Sequence, residues 1–252
     1  MFGVAYSVLS YLGFLGVFTY FAWFTDGIGV PKSVDGGAAS SPVAAVAVDV
    51  ALMLLFGLQH SIMARREFKR ALVRVLPARV ERATYVLASS AVLALLMWQW
   101  RPLRSPVWSI ESTPVAALLW TVNAIGWLGV PVSSLLIDHL ELFGLKQAWN
   151  GFRRTSYARK GFVTPLLYKY VRHPMMSSLL VGLWVTPHMT AGHLLLSLGM
   201  TAYVWIGVHF EERSLAEELG RAYEQYRVTT PRFVPIPLPK APESAPLSGD
   251  PR

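Results

Sequence analysis

The sequence predicts an all-α integral membrane protein with about five or six membrane-spanning helices, the last two forming a tight hairpin. Hydrophobic residues make up 53% of the 252 residues, and charged residues only 15%. Several apolar runs approach the roughly 20 residues that a helix needs to cross a bilayer. Cysteine is absent from the chain, which excludes disulfides, a thiolate nucleophile and a cysteine-ligated metal.

Each predicted span is an apolar run that ends at or near polar, Gly or Pro residues. No basic region precedes the first run and no convincing small-residue cleavage site follows it, so we interpret it as a retained helix. Thr186, Pro187 and His188 interrupt the last apolar stretch, and they predict the turn of the hairpin. The predicted spans are residues 2–24, 43–63, 83–100, 115–137, 174–187 and 193–210.

Basic residues concentrate in two of the predicted loops and indicate the orientation of the chain. Residues 61–82 carry seven Lys or Arg side chains, and residues 138–172 carry another seven. The segments 25–42 and 101–114 together carry only three. We therefore expect both basic loops and both termini on the cytoplasmic side of a bacterial inner membrane. The net charge of +8 is then a topology signal with some contact to anionic lipid, which argues against nucleic acid as a partner.

The chain divides into three predicted regions. Residues 1–137 form a transmembrane helical bundle with short loops. Residues 138–235 hold many of the charged and aromatic residues that border apolar segments, including the hairpin and a cytoplasmic C-terminal helix, so we expect the chemistry there. Residues 236–252 are rich in Pro, Ser and Ala and predict a disordered tail.

The two arms of the hairpin carry the most informative polar residues. Arg172 and His173 precede Pro174, a residue favoured in the first turn of a helix. Glu211 and Glu212 follow the second arm, and both open ends of the hairpin face the same side. A helix start offers N–H groups to an anion, and the glutamates offer oxygens to a cation. S-adenosylmethionine, which has a carboxylate, an ammonium and a sulfonium group, matches this arrangement.

A purely structural interpretation of the same residues stays open. In that interpretation Arg172 pairs with one of the two glutamates at the interface, and His173 caps the helix that it precedes. Adjacent helical residues point about 100° apart, so Glu211 and Glu212 cannot both face one pocket equally. One glutamate can therefore bind a ligand while the other meets Arg213 or solvent.

The motifs of the second half resemble those of the isoprenylcysteine carboxyl methyltransferase superfamily, which also includes phospholipid methyltransferases. The pattern is R-H-P, an apolar hairpin, F-E-E-R-x-L, G-x-x-Y-x-x-Y and a closing P-R-F-V-P. Further motifs at 58–65, 98–102 and 138–145 are similar to the branch that methylates methanethiol, and this closer resemblance covers roughly residues 43–235. It implies a polytopic enzyme that transfers a methyl group from S-adenosylmethionine to this small thiol, giving dimethyl sulfide.

The resemblance also implies which residues bind the cofactor. They are Arg172, His173, Glu211, Glu212, Tyr168, Tyr223 and Tyr226. The chain departs from the superfamily after R-H-P, where a Tyr and a Gly are frequent and this sequence has Met175 to Ser178. A hydrogen bond from that tyrosine is therefore not expected, although Met176 can pack on the cofactor.

Methylation of a thiol requires removal of its proton. A free cysteine thiol has a pKa of about 8.5, and by analogy a small alkyl thiol is largely protonated at neutral pH. The candidate bases are His60, His139 and Glu141, which lie near predicted cytoplasmic helix ends in the motifs of the closer resemblance. For each histidine a structural hydrogen bond at the interface is the alternative. No spacing of His, Asp or Glu predicts a metal site.

Two other classes of function remain open on the sequence alone. One is a methyltransferase with a larger lipidic acceptor, such as a prenylcysteine or a phospholipid. The other is a non-catalytic membrane protein with the same fold. Binding of S-adenosylmethionine separates an enzyme from a non-enzyme, and competition between acceptors separates a thiol from a lipid.

Overall fold

The structure is a computed structural model that describes residues 1–153, 155 and 163–236. Residues 237–252 of the predicted tail lie outside the described residues. The α-helices are α1 (Phe2–Asp26), α2 (Pro42–Ala64), α3 (Arg66–Leu72), α4 (Glu81–Gln99), α5 (Thr113–Ile137), α6 (His139–Leu142), α7 (Leu145–Arg153), α8 (Pro174–Trp184), α9 (Ala191–Leu219) and α10 (Arg221–Thr229). Short 3₁₀ turns cover Ala78–Val80 and Leu166–Lys169.

Within the described residues, five helices are long and apolar enough to span a membrane, namely α1, α2, α4 with its preceding turn, α5 and α9. The sixth predicted span is the shorter apolar helix α8, with 11 residues. The predicted class, an all-α polytopic membrane protein, is confirmed. Helix α9 continues well past residue 210, so Glu211 and Glu212 lie within the helix rather than after it.

The helices pack in a defined order around α4 and α5. Helix α4 lies between α1 and α2, α2 also contacts α9, and α8 packs along α5 as well as against α9. Aromatic contacts fill the centre, since the ring centroids of Phe24 and Trp100 lie 6.3 Å apart and those of Phe21 and Trp127 lie 5.8 Å apart. We call the end of this bundle that carries residues 61–82, 138–153 and 163–172 its basic end.

A small two-stranded sheet closes the opposite end and was not predicted from the sequence. Strand β1 (Pro106–Ser109) pairs antiparallel with β2 (His188–Thr190). The Trp108 indole N–H also donates to the carbonyl of Thr186, 3.0 Å away. The sheet joins the α4–α5 connection to the turn of the hairpin, so both arms of the hairpin are fixed relative to the bundle.

Asp49 in the apolar helix α2 has a structural role at this same end. Its side chain is fully buried, and Oδ1 accepts a hydrogen bond from the backbone N–H of Arg101 at 2.8 Å. The carboxyl thereby ties the end of α4 to α2. It lies 11 residues from His60, about 16 Å along a helix, which is too far for the two side chains to contact each other.

Small residues allow α5 and α8 to pack closely. A Cβ atom added at Gly126 of α5 would lie 2.5 Å from the backbone nitrogen of Gly182 and 3.0 Å from the carbonyl oxygen of Ser178. Backbone atoms of a packed helix cannot move aside as a flexible side chain can. This contact fixes the position of α8, whose N-terminus carries the R-H-P motif.

We expect Gly126→Ala to destabilise the protein by about 1–3 kcal/mol, because the added methyl group overpacks the helix interface. Thermal unfolding in detergent measures the effect. Gly13→Ala is the matched control, since a Cβ atom at Gly13 of α1 meets nothing within 4 Å. Equal unfolding temperatures for the two variants would contradict this interpretation of the α5–α8 contact.

Candidate active site

The start of α8 is held by the segment that follows α10. The backbone N–H groups of Arg172 and His173 donate to the carbonyls of Pro231 and Arg232, at 2.9 and 3.1 Å. The hydroxyl of Ser177 donates to the next carbonyl of that segment at 2.7 Å. The R-H-P and P-R-F-V-P motifs, about 60 residues apart, therefore form one unit at the basic end of the bundle.

Glu212 is a buried carboxylate that three cationic or titratable side chains contact. Arg172 Nε donates to Oε1 at 2.8 Å, and Arg232 donates to Oε2 at 2.5 Å. His173 Nε2 lies 3.1 Å from Oε1. The Glu212 side chain is only 4% exposed. Glu212 thus joins α9 to both motifs, and it matches the structural pairing expected for one of the two glutamates.

Glu211 differs from Glu212 in its exposure and in its ion pairs. Its side chain is 53% exposed, and its described ion pair is a 3.7 Å contact with His173 Nδ1. The His173 ring therefore lies between the two glutamates, and its side chain makes no capping hydrogen bond to α8. Glu211 offers carboxylate oxygens to a ligand at a place where Glu212 does not.

Tyrosines from several elements lie close enough to Glu211 for its charge to act on them, and we call this region the Glu211 pocket. These tyrosines are Tyr85 on α4, Tyr203 on α9, Tyr168 before α8 and Tyr223 on α10. Glu211 consequently lies where the bundle, which carries Tyr85, meets the C-terminal helix, which carries Tyr223. An amine or sulfonium cation suits such an acidic, aromatic environment.

The three tyrosines of the predicted cofactor set brace this pocket. The Tyr226 hydroxyl donates to the carbonyl of Tyr168 at 2.5 Å, and the Tyr168 hydroxyl donates to the carbonyl of Ser133 at 3.4 Å. Tyr223 is 1% exposed, and its ring centroid lies 6.0 Å from that of Tyr226. Burial raises the pKa of both Tyr223 and Tyr226 to about 12, so both stay protonated at neutral pH.

His60 lies on α2, opposite α4. Its Nε2 atom is 2.5 Å from the hydroxyl of Tyr85, and its Nδ1 atom is 3.1 Å from the hydroxyl of Ser89. The aromatic rings of Phe56 and Tyr203 lie 5.4 and 5.9 Å from its ring. Because the charge of Glu211 acts on Tyr85 and Tyr203, His60 borders the Glu211 pocket through them.

His139 begins α6 and has a tautomer that its neighbours define. The Ser134 hydroxyl donates its single proton to the carbonyl of Pro131 at 2.8 Å, so it accepts from His139 Nδ1 at 2.7 Å. Nε2 is then unprotonated and accepts from the Tyr11 hydroxyl at 2.6 Å. Burial also lowers the pKa of His139, which keeps the ring neutral at neutral pH.

Glu141 lies two residues further along the same short helix. Its backbone N–H donates to Asp138 Oδ1 at 3.2 Å, and its carbonyl accepts from Arg82 at 3.0 Å. Asp138 caps α6 and also pairs with Lys146 at 2.6 Å. These contacts attach Asp138 and α6, which we call the His139 loop, to the start of α4.

The three candidate bases therefore surround α4 near its first turns. His60 reaches α4 through Tyr85, and the His139 loop reaches it through Arg82. The His139 side also connects to the tyrosine brace, since Tyr168 bonds Ser133, next to the serine that holds His139. Groups of three or more His, Asp or Glu side chains able to hold a metal are absent from the described residues.

Several residues of the site were not singled out from the sequence. Arg232 lies in the closing P-R-F-V-P motif, and that position was the available signal for it. Tyr85 and Tyr11 lie inside predicted spans, where a tyrosine resembles any membrane-interface aromatic residue. Their roles depend on which helices meet, and a single sequence does not contain that information.

A polar site at one end of an all-α membrane bundle is the arrangement expected of the membrane methyltransferases that the motifs resemble. A family model described as NnrU protein matches residues 49–237, and the chain belongs to this family. Among its relatives is methanethiol S-methyltransferase 2 of Bradyrhizobium diazoefficiens, 47% identical over 231 residues, covering 91% of this chain and 88% of the relative.

Other relatives extend the comparison. Methanethiol S-methyltransferase of Mycobacterium tuberculosis is 42% identical over 234 residues, covering 93% of this chain and 96% of the relative. Nurim of Danio rerio is 32% identical over 187 residues, covering 68% of this chain and 65% of that protein. No solved structure matches the chain. The resemblance inferred from the motifs is confirmed.

Proposed function

We propose that this protein transfers a methyl group from S-adenosylmethionine to methanethiol and so produces dimethyl sulfide. We further propose that it does so at the cytoplasmic face of a bacterial inner membrane. The observation that carries the proposal is the difference between two adjacent carboxylates. Glu212 is buried in ion pairs, whereas Glu211 is 53% exposed. The names of the relatives support the choice of reaction and acceptor.

The described residues fit the charges of this cofactor. Glu211 binds its ammonium group, and the N–H groups at the start of α8, which have no partner within the helix, face its carboxylate. Arg172 and Arg232 act through Glu212 by holding the end of α9 beside α8. His173 orients Glu211 from between the two carboxylates. When bound, the cofactor supplies an electrophilic methyl group on its sulfonium.

The tyrosines shape the remainder of the cofactor pocket. Tyr168 and Tyr226 hold the segment before α8 against α10 through the hydrogen bond from Tyr226. Tyr223 packs beside them in the interior. Their protonated hydroxyls add no negative charge to a pocket whose carboxylate already balances the cation.

His139 is the base candidate whose hydrogen bonds suit proton transfer. Its Nδ1 proton is held by Ser134, and Nε2 keeps its lone pair toward Tyr11. A thiol proton can therefore move to the Tyr11 oxygen while the Tyr11 proton moves to Nε2. His60 and Glu141 remain the other two candidates.

The proposal is tested with purified protein, labelled S-adenosylmethionine and a panel of acceptors. We expect labelled dimethyl sulfide from methanethiol, and no labelled product from a prenylcysteine or a phospholipid. Glu211→Gln should weaken cofactor binding by about 10-fold or more, because a charge-assisted hydrogen bond becomes a neutral one. Its unfolding temperature should stay unchanged, since Glu211 is half-exposed. Calorimetric titration measures the affinity.

Three outcomes would contradict the proposal, each at a different point. Labelling of a lipid acceptor alone would replace the substrate. Failure of the wild-type protein to bind the cofactor would leave a non-catalytic membrane protein. Unchanged cofactor affinity in Glu211→Gln would remove Glu211 from the binding site.

A further inference from the structure

Hydroxyl groups contact both ring nitrogens of His60, and the direction of these hydrogen bonds can be assigned. A neutral imidazole has one N–H donor and one acceptor nitrogen, so one hydroxyl must donate to it and the other must accept. The two hydroxyls belong to Ser89, 3.1 Å from Nδ1, and Tyr85, 2.5 Å from Nε2. Which of them donates depends on where each hydroxyl can place its own proton.

Burial limits the acceptors that the Ser89 hydroxyl can reach. It is 8% exposed, and Gln59 Nε2 approaches its oxygen at 3.4 Å as a donor. Gln59 Nε2 also donates to Met63 Sδ at 3.0 Å, which fixes the amide with its nitrogen rather than its oxygen toward Ser89. Among the described contacts of Ser89, His60 Nδ1 is therefore the acceptor for its proton. A buried hydroxyl without an acceptor is costly, so Ser89 donates to Nδ1. His60 then carries its proton on Nε2 and donates it to the Tyr85 oxygen.

This direction leaves the proton of the Tyr85 hydroxyl available to a ligand. Tyr85 is only partly buried, and the described residues provide no second acceptor for its proton. The position borders the pocket of Glu211, whose charge acts on Tyr85. The titratable and charged groups that face Tyr85 are His60 on α2, Tyr203 and Glu211 on α9, and Glu81 and Arg82 on its own helix.

Resting on the proposed function, we infer that the Tyr85 hydroxyl donates a hydrogen bond to the thiolate sulfur of the acceptor. His60 and Ser89 are then positioning residues that fix the direction of this donor. The thiol gives its proton to the base or to water, and the sulfur lone pair forms the new S–C bond. The S–C bond of the sulfonium breaks, and its electron pair stays on the cofactor sulfur.

The surroundings of Tyr85 suit a very small acceptor. Phe56 and Tyr203 place aromatic rings around His60, with their own centroids 5.7 Å apart. A Cβ atom at Gly57 would lie 3.2 Å from the Tyr203 ring, so this ring packs directly on α2. A one-carbon thiol has a single polar atom, and one donor within an aromatic wall is sufficient to orient it.

The test compares Tyr85→Phe with the wild-type protein in rate measurements from neutral to alkaline pH. We expect turnover at neutral pH to fall by about 10- to 100-fold, the range for a hydrogen bond to a charged group. The loss should shrink as pH rises, because the free thiol then ionises without help. Cofactor affinity should stay unchanged. Ser89→Ala should produce a smaller loss with the same pH dependence.

Tyr6→Phe is the matched control, because Tyr6 donates its hydroxyl proton to Thr84, the residue before Tyr85, at 3.1 Å. It should keep the wild-type rate profile. A Tyr85→Phe loss that is equal at every pH, or equal to that of Tyr6→Phe, would overturn the inference and leave Tyr85 with a structural role. Wild-type protein without activity on methanethiol would instead refute the proposed function itself.

Discussion

Glu212→Gln is expected to destabilise the protein by about 3 kcal/mol, the lower end of the cost of breaking a buried ion pair. The substitution keeps the shape of the side chain and removes its charge. Arg172, 8% exposed, then loses its anionic partner inside the protein, and so does Arg232, which is 29% exposed. Partial exposure of Arg232 reduces the cost, which is why the lower end applies.

Glu217→Gln is the matched control on the same helix. Glu217 pairs with Arg213 at 3.4 Å, and both side chains are more than half exposed, at 65% and 74%. An exposed pair of this kind contributes little, so the control should unfold as the wild-type protein does. Thermal unfolding in detergent compares the two variants. If Glu212→Gln were no less stable than Glu217→Gln, the ion-pair cluster would not hold α9 to the R-H-P segment.

The overall architecture was predictable because its signals are local. An apolar run of about 20 residues defines a span wherever it packs, and proline in the first turn of α8 marked the start of that helix. The approach of Arg172 and His173 to the glutamates was also predictable, since both arms of a hairpin must return to the same side. Helix lengths were predicted less accurately, since α9 extends beyond the predicted end at residue 210.

The details of the site depend on contacts that one sequence does not contain. Adjacent glutamates look alike in sequence, and the contacts of Arg172 and Arg232 distinguish Glu212 as the buried one. Likewise, His60 and His139 both lie near helix ends, yet the serine hydroxyls that contact their Nδ1 atoms differ in the direction of the hydrogen bond. Ser134 donates to a backbone carbonyl, whereas Ser89 has the histidine as its acceptor.

The opposite directions of these hydrogen bonds distinguish the candidate bases. His60 donates from Nε2 to Tyr85, so this series of hydrogen bonds ends in the Tyr85 hydroxyl, a donor that stabilises an anion. His139 accepts at Nε2 from Tyr11, so the hydrogen bond between them can accept a proton from a thiol. Glu141 shares the short helix α6 with His139 and provides a carboxylate close by in sequence.

We therefore expect His139→Ala to lower turnover at neutral pH by roughly 100- to 10,000-fold, the usual contribution of a general base. Much of the loss should be recovered as pH rises and the thiol ionises unaided. In the wild-type protein the rate should fall on the acid side with a midpoint below the ordinary histidine pKa, because burial lowers the pKa of His139. Tyr11→Phe, which interrupts the path to Nε2, should show a loss with the same pH dependence.

Glu141→Gln and His60→Ala are measured in the same experiment, with cofactor affinity determined for every variant. If His139 is the base, Glu141→Gln keeps most of the activity, and His60→Ala loses no more than Tyr85→Phe does. A larger, pH-dependent loss in Glu141→Gln or His60→Ala would transfer the role to that residue. Near-wild-type rates at neutral pH in all three variants would refute general-base catalysis by these groups, and the electrostatic effect of the bound sulfonium would then account for thiol ionisation.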